Sequence, residues 1–168
     1  MAIEPFIDNI YRIQNALSNK REANRQLSSE EDNVSGKSLL DKNMNKNSSH
    51  TSLVDTILLD DLIPYLPKQA DGSSFKKAII KIDIEGHEPF VFQNASKLFD
   101  LLDVQLIQME WGHLIENKDH HADVDKMVDF LMRRKFNPYF FDFQLSIDNY
   151  EHWPFDVIWI KSNELVIN

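Results

Sequence analysis

The sequence predicts an α/β fold, a doubly wound, mostly parallel sheet with an antiparallel last strand. Three observations predict it. Ala78, Ile79, Ile80, Ile82 and Ile84 form a nearly continuous apolar run, the profile of a strand covered on both faces, which leads into Asp83, Glu85 and Gly86. From Leu53 onward, strand-like and helix-like segments alternate. The chain then finishes on two strands with no helix between them.

Taken in order, residues 19–52 are rich in Asn, Ser, Lys, Glu and Asp with few large apolar side chains, and are expected to be a disordered insertion. Residues 53–168 are the best-formed part. Val54–Leu59 reads as a short strand, Asp60–Tyr65 as a helical turn stopped by Pro67, and 69–74 as a loop. The strand at 78–84 follows. Phe90, Val91, Ala95, Leu98, Phe99 and Leu102 have the spacing of one amphipathic helix over 89–102, with Pro89 in its first turn. Val104–Trp111 is a second strand ending in an acid. After a polar loop, Val124, Met127, Val128, Phe130, Leu131 and Met132 predict a helix over 123–135. Residues 136–143 and 156–161 are the two closing strands.

Composition bounds the function. At 168 residues with 42% hydrophobic and 11% aromatic content, the chain is one domain with a proper core. A net charge of −9 argues against binding nucleic acid through phosphate neutralisation. The absence of cysteine removes disulfides, thiolate catalysis and cysteine-based zinc sites. No apolar run approaches the roughly twenty residues that span a bilayer. Neither compartment nor oligomeric state is legible.

In open α/β sheets ligands bind beyond the carboxyl ends of the strands, so Asp83 and Glu85 are the first candidates for chemistry, with Glu110 and Trp111 at the end of the next strand. If the strand continues through Glu85, both acids face one side. Against this stands the plainer reading that Glu85 or Glu88 serves the helix after it and that Trp111 is core. His87, His113, His120 and His121 invite a metal. His120 and His121, being adjacent in a polar loop, lack the spacing that aims two imidazoles at one ion, so no metal site is expected. Lys81 reads as an ion-pair partner, and the Trp153–Phe155 segment as packing.

AIEP at 2–5, NALS at 15–18, DTILLDDL at 55–62, KIDIEGHEP at 81–89 and QMEWG at 108–112 together resemble, in sequence and in order, the FkbM-type family of S-adenosylmethionine-dependent methyltransferases. The resemblance implies a Rossmann-like class I methyltransferase fold with S-adenosylmethionine as cofactor. Glu4 would bind the ribose hydroxyls, with Asn15 and Ala16 beside the cofactor. Asp83 and Glu85 would be catalytic, and His87, Glu110 and Trp111 would contact the acceptor. The acceptor would be a hydroxyl of a small molecule or glycan-like compound. Such a fold begins with a strand and a glycine-rich turn, whereas Gly36, Gly72, Gly86 and Gly112 form no cluster. The chain is therefore expected to be incomplete on its N-terminal side. Two other readings remain open: a catalytically inactive, partner-binding fragment, and a metal-dependent hydrolase or transferase built on Asp83, Glu85 and Glu110.

Overall fold

The computed structural model describes residues 13–28, 38–39, 51–116 and 120–162. Its elements are β1 (Ala16–Leu17), β2 (Arg25–Ser28), β3 (Ser38–Leu39), β4 (Thr51–Val54), β5 (Thr56–Ile57), a 3-10 turn (Leu59–Tyr65), β6 (Lys77–Ile82), α1 (Glu88–Phe92), α2 (Ser96–Leu101), β7 (Asp103–Glu110), α3 (Gly112–Glu116), α4 (His121–Arg133), β8 (Phe136–Phe140), β9 (Phe143–Gln144), a second 3-10 turn (Ile147–His152) and β10 (Asp156–Lys161). The main sheet has the order β6-β7-β10-β8-β9, beside a parallel pair β1-β5 and a small antiparallel sheet β3-β2-β4. Among the described residues no helix is long and apolar enough to cross a membrane.

The α/β class and the antiparallel last strand are found, but the sheet is not mostly parallel. Within the main sheet, among the described residues, only β6 and β7 pair in parallel, while β10 lies between β7 and β8 and runs against both, and β9 folds back on β8. A reversed strand placed inside a sheet makes two antiparallel ladders, whereas at an edge it makes one. Position within the sheet, which periodicity does not report, decided the outcome.

The expectation that the strand at 78–84 is covered on both faces also fails. Cross-strand register sets Ile80, Ile107, Trp159 and Pro138 in one row and Ile82, Met109 and Val157 in the next. Of these, Ile82, Ile107, Met109, Val157 and Trp159 are fully buried. The alternate row runs through Ile79, Leu106 and Ile160. There Ile79 is 73% exposed, so β6 is buried on one side only.

On the covered side two aromatic groups meet. Phe92, Phe99, Phe130 and Phe136 join α1, α2, α4 and β8 through ring contacts of 5.3–6.1 Å. Trp111, Trp153 and Trp159 form a second group with centroids 4.6–6.2 Å apart. The Trp111 and Trp153 indole N–H groups donate to the Tyr150 and Ser146 carbonyls, each at 2.9 Å, so those two donors stay paired on burial, whereas the buried Trp159 indole N–H meets no hydrogen-bond partner.

Several segments differ in their breaks. The helix expected over 89–102 is two short helices; of its apolar stripe Val91, Ala95, Leu98, Phe99 and Leu102 are buried and Phe90 is partly buried, while Phe92, outside that stripe, is buried as well. The second helix starts on a borrowed cap: Asp60 accepts the Leu98 N–H at 2.9 Å and the Lys97 N–H at 3.3 Å. The 54–59 strand divides into β4 and β5 around Asp55, and the 136–143 strand into the hairpin β8–β9 around Phe141, whose φ is +49°. Within 19–52, residues 25–28 and 38–39 pair with each other, and 25–28 also pair with 51–54. Asp61, the neighbour of Asp60, accepts the Leu58 N–H at 3.0 Å and two bonds from Arg21. Both acids of the DDL element are thus structural.

Asp60→Ala removes a cap that no residue of α2 supplies itself, and is expected to lower unfolding free energy by about 1 kcal/mol. Urea unfolding checks this; an unchanged midpoint would show that the cap contributes nothing.

Candidate functional site

β6 ends at Ile82, and the chain reverses over the next residues into α1. Glu85 (φ +57°) and Gly86 (φ +86°) are consecutive left-handed residues. Glycine takes that conformation freely, whereas at Glu85 it costs roughly 1–2 kcal/mol. Strain of this kind concentrates at functional sites. The expectation that Asp83 and Glu85 share a strand face fails, because neither is in the strand. The turn brings them together instead.

Glu88 holds the turn from beneath. It is fully buried, and one carboxyl oxygen accepts the Ile84 N–H at 2.9 Å, while the other meets no hydrogen-bond partner. Burial pushes its pKa up to about 7; the Ile84 and Glu88 amides act against that rise, while the Glu110 and Asp83 charges add to it.

Above the turn lies a cavity of about 450 Å³ lined by Asn15, Ala16, Leu17, Leu27, Leu39, Asp83, Ile84, Glu85 and His87, a volume within the range of small-molecule sites. Two distant motifs build it. The Ala16 and Ser18 amides donate to Asp55 and Ile57 at 3.1 and 2.9 Å, laying the NALS segment along β5. Buried Ser18 shares a 3.2 Å hydrogen bond with His87 Nε2, joining NALS directly to GHEP. The Asn19 carbonyl accepts from Asn94 Nδ2 at 2.9 Å, and Asn19 Nδ2 donates to Gln93 Oε1 at 2.9 Å. Asp83 is ion-paired with Lys81 at 3.1 Å, as expected for Lys81.

Next to the cavity, Glu85, Glu110 and His113 place one ligand atom each within 4.8 Å of one another, a set that could hold a metal ion. His113 Nε2 lies 3.4 Å from Glu85 and 3.8 Å from Glu110. Burial raises the Glu110 pKa; His113 opposes this, and Asp83 and Glu85 reinforce it. Gly112 is required here by close approach, since a Cβ would fall 2.1 Å from the Phe155 ring, which itself packs 5.4 Å from the His113 ring.

Of the residues expected at the site, Asn15, Ala16, Asp83, Glu85 and His87 line one cavity, and Glu110 adjoins Glu85 through His113. Trp111 does not join them; it is fully buried in the indole group, because its side chain alternates away from the polar end of β7 into the core. Glu4 lies outside the described residues. His120 and His121 take no part in the metal-capable trio. Sequence reasoning weighed His113 only as one of four histidines and did not pair it with Glu110, although an acid at a strand end and a histidine three residues on, in the next helix, are a readable signal. Leu27 and Leu39 carried none, being among the few leucines of a polar stretch with no apolar periodicity around them.

Residues 1–138 match the methyltransferase FkbM domain, most of the chain's length. The chain belongs to the FkbM methyltransferase family. Comparisons with curated proteins and with solved structures gave no match. FkbM membership implies a class I methyltransferase fold and a family that typically uses S-adenosylmethionine.

The buried carboxyl under the turn makes stability depend on pH. Glu88 binds its proton more tightly when folded, so its contribution is complete below pH 4.5 and is lost as pH rises to about 7. Glu88→Gln should flatten that slope and gain about 3 kcal/mol on wild type between pH 4 and pH 8. Parallel pH profiles in thermal unfolding would refute this.

Proposed function

We propose that this chain is an S-adenosylmethionine-dependent methyltransferase acting on a hydroxyl of a small-molecule or glycan-like acceptor. The observation that carries the reading is the single cavity gathering Asn15 and Ala16 from one family motif and Asp83, Glu85 and His87 from another. Its volume suits a nucleoside-sized ligand and its carboxylates suit a cationic one. When bound, the cofactor supplies an electrophilic methyl group on a sulfonium. Asp83 takes the hydroxyl proton as the acceptor oxygen attacks, and Glu85 orients the acceptor. Asn15 and Ala16 hold the nucleoside end, with Glu4 accepting from the ribose hydroxyls.

A second reading is favoured by the Glu85–Glu110–His113 trio, whose imidazole and carboxylate donors suit a divalent ion of a metal-dependent transferase or hydrolase. His113 replaces Asp83 in the ligand set expected from sequence.

Isothermal titration of S-adenosylhomocysteine into the folded chain should give saturable binding that Glu4→Ala weakens. Asp83→Asn should leave that affinity within about twofold while cutting transfer of labelled methyl to a panel of glycosides about 100-fold or more. A folded chain that binds no S-adenosylhomocysteine would leave a family member without the family's activity.

For the second reading, Mn²⁺ at 100 times its dissociation constant should stabilise the wild type by about 2.7 kcal/mol and His113→Ala not at all. Equal responses in the two chains would dismiss the trio as a metal site.

A further inference from the structure

Part of the cavity's apolar lining is built by a stretch of the chain that the family motifs do not include. Leu27 in β2 and Leu39 in β3 are directly opposed across an antiparallel pair, so their side chains stand next to each other on one face. Both are partly buried and both line the cavity, as does Leu17 of β1. The small sheet that carries Leu27 and Leu39 is anchored to the NALS wall rather than suspended over it. Thr56, buried in β5, accepts the Glu22 N–H at 2.9 Å and donates to the Lys20 carbonyl at 2.7 Å. Asp55 accepts the Asn24 N–H at 3.0 Å, and the same short link joins β4 to β5.

The cavity therefore has two kinds of wall. The turn after β6 contributes Asp83, Ile84, Glu85 and His87, and β1, β2 and β3 contribute Leu17, Leu27 and Leu39 beside Ala16. A ligand that meets both walls carries an apolar group against the leucines and polar or cationic groups toward the carboxylates. Ala16, proposed with Asn15 to hold the nucleoside, shares β1 with Leu17, and Asn15 immediately precedes that strand. We infer that Leu27 and Leu39 are specificity-determining residues whose paired side chains seat the purine ring of a nucleoside ligand against Leu17. This inference rests on the methyltransferase reading and adds to it the residues that select the base.

Adenosine and S-adenosylhomocysteine share the purine and differ at the other end, so titrating both separates the two walls of the cavity. Wild type should bind both. Leu27→Asn and Leu39→Asn should each weaken the two ligands by the same factor, about fivefold for the loss of roughly 40 Å² of apolar contact. Leu27→Met and Leu39→Phe, which keep an apolar wall and a strand-compatible side chain, should stay within about twofold. Thermal unfolding of each variant shows that it is folded, and the Met and Phe variants keep the test decisive if Asn disrupts the small sheet. Unchanged affinities in folded Asn variants would overturn the inference alone, as would Met and Phe variants as weak as the Asn ones. A loss confined to S-adenosylhomocysteine would place another group against the leucines and overturn it too. A wild type that binds neither ligand would overturn the methyltransferase reading and this inference with it.

Discussion

The carboxyl of Glu88 lies beneath the turn that leaves β6, and the hydrogen bond it accepts from the Ile84 amide fixes where that turn goes. Two left-handed residues, Glu85 and Gly86, sit in the turn, and their backbone cost has to be met by contacts that hold them there. A buried acid with one satisfied oxygen is itself costly, which is why its proton is held up to about pH 7. Strain and desolvation are thus concentrated within residues 84–88. The result is that Asp83, Ile84, Glu85 and His87 all line one cavity, whereas a continuing strand would turn Ile84 to the face opposite the other three.

The NALS wall is tied to this turn and to the helix after it by polar contacts as well as by Leu17, which packs against the core. Ser18 meets His87, Asn19 meets Gln93 and Asn94, and Asp60 caps the helix that follows. The hydrophobic core lies on the other side of that boundary. Its indole group absorbs Trp111, so that Glu110 and Trp111, adjacent in sequence, have opposite fates: one partners His113 and the other is sealed from ligand. Gly112 then lets Phe155 approach closely enough to pack on His113. The second acid and the histidine of the site therefore depend on the tryptophan core for their placement, while Asp83 and Glu85 depend on Glu88.

The same division explains the open face of the sheet. Ile79 and Ile160 stand on the uncovered row while Ile80 and Trp159 stand on the covered one, in strands where apolar residues fall on both sides. Side-chain alternation is a property of the strand, but which side is covered is a property of the helices that pack on it. Here the packing of α1, α2 and α4 covers one side.

By itself the sequence determined the α/β class, the positions of most elements and the family, and it named Asn15, Ala16, Asp83, Glu85 and His87, which the fold gathers at one cavity, because apolar periodicity and short motifs are local quantities. It also carried the antiparallel sense of the last strand. Only the tertiary structure decided where β10 inserts, that a helix read as continuous is two, and that β6 is covered on one side, since neighbours distant in sequence set all three. It alone placed His113 with Glu85 and Glu110, withdrew Trp111 into the core, and brought Leu27 and Leu39 to the cavity. Each of those outcomes depends on a register or a turn angle, and a one-residue change in either reverses where a side chain points, which composition and spacing do not record.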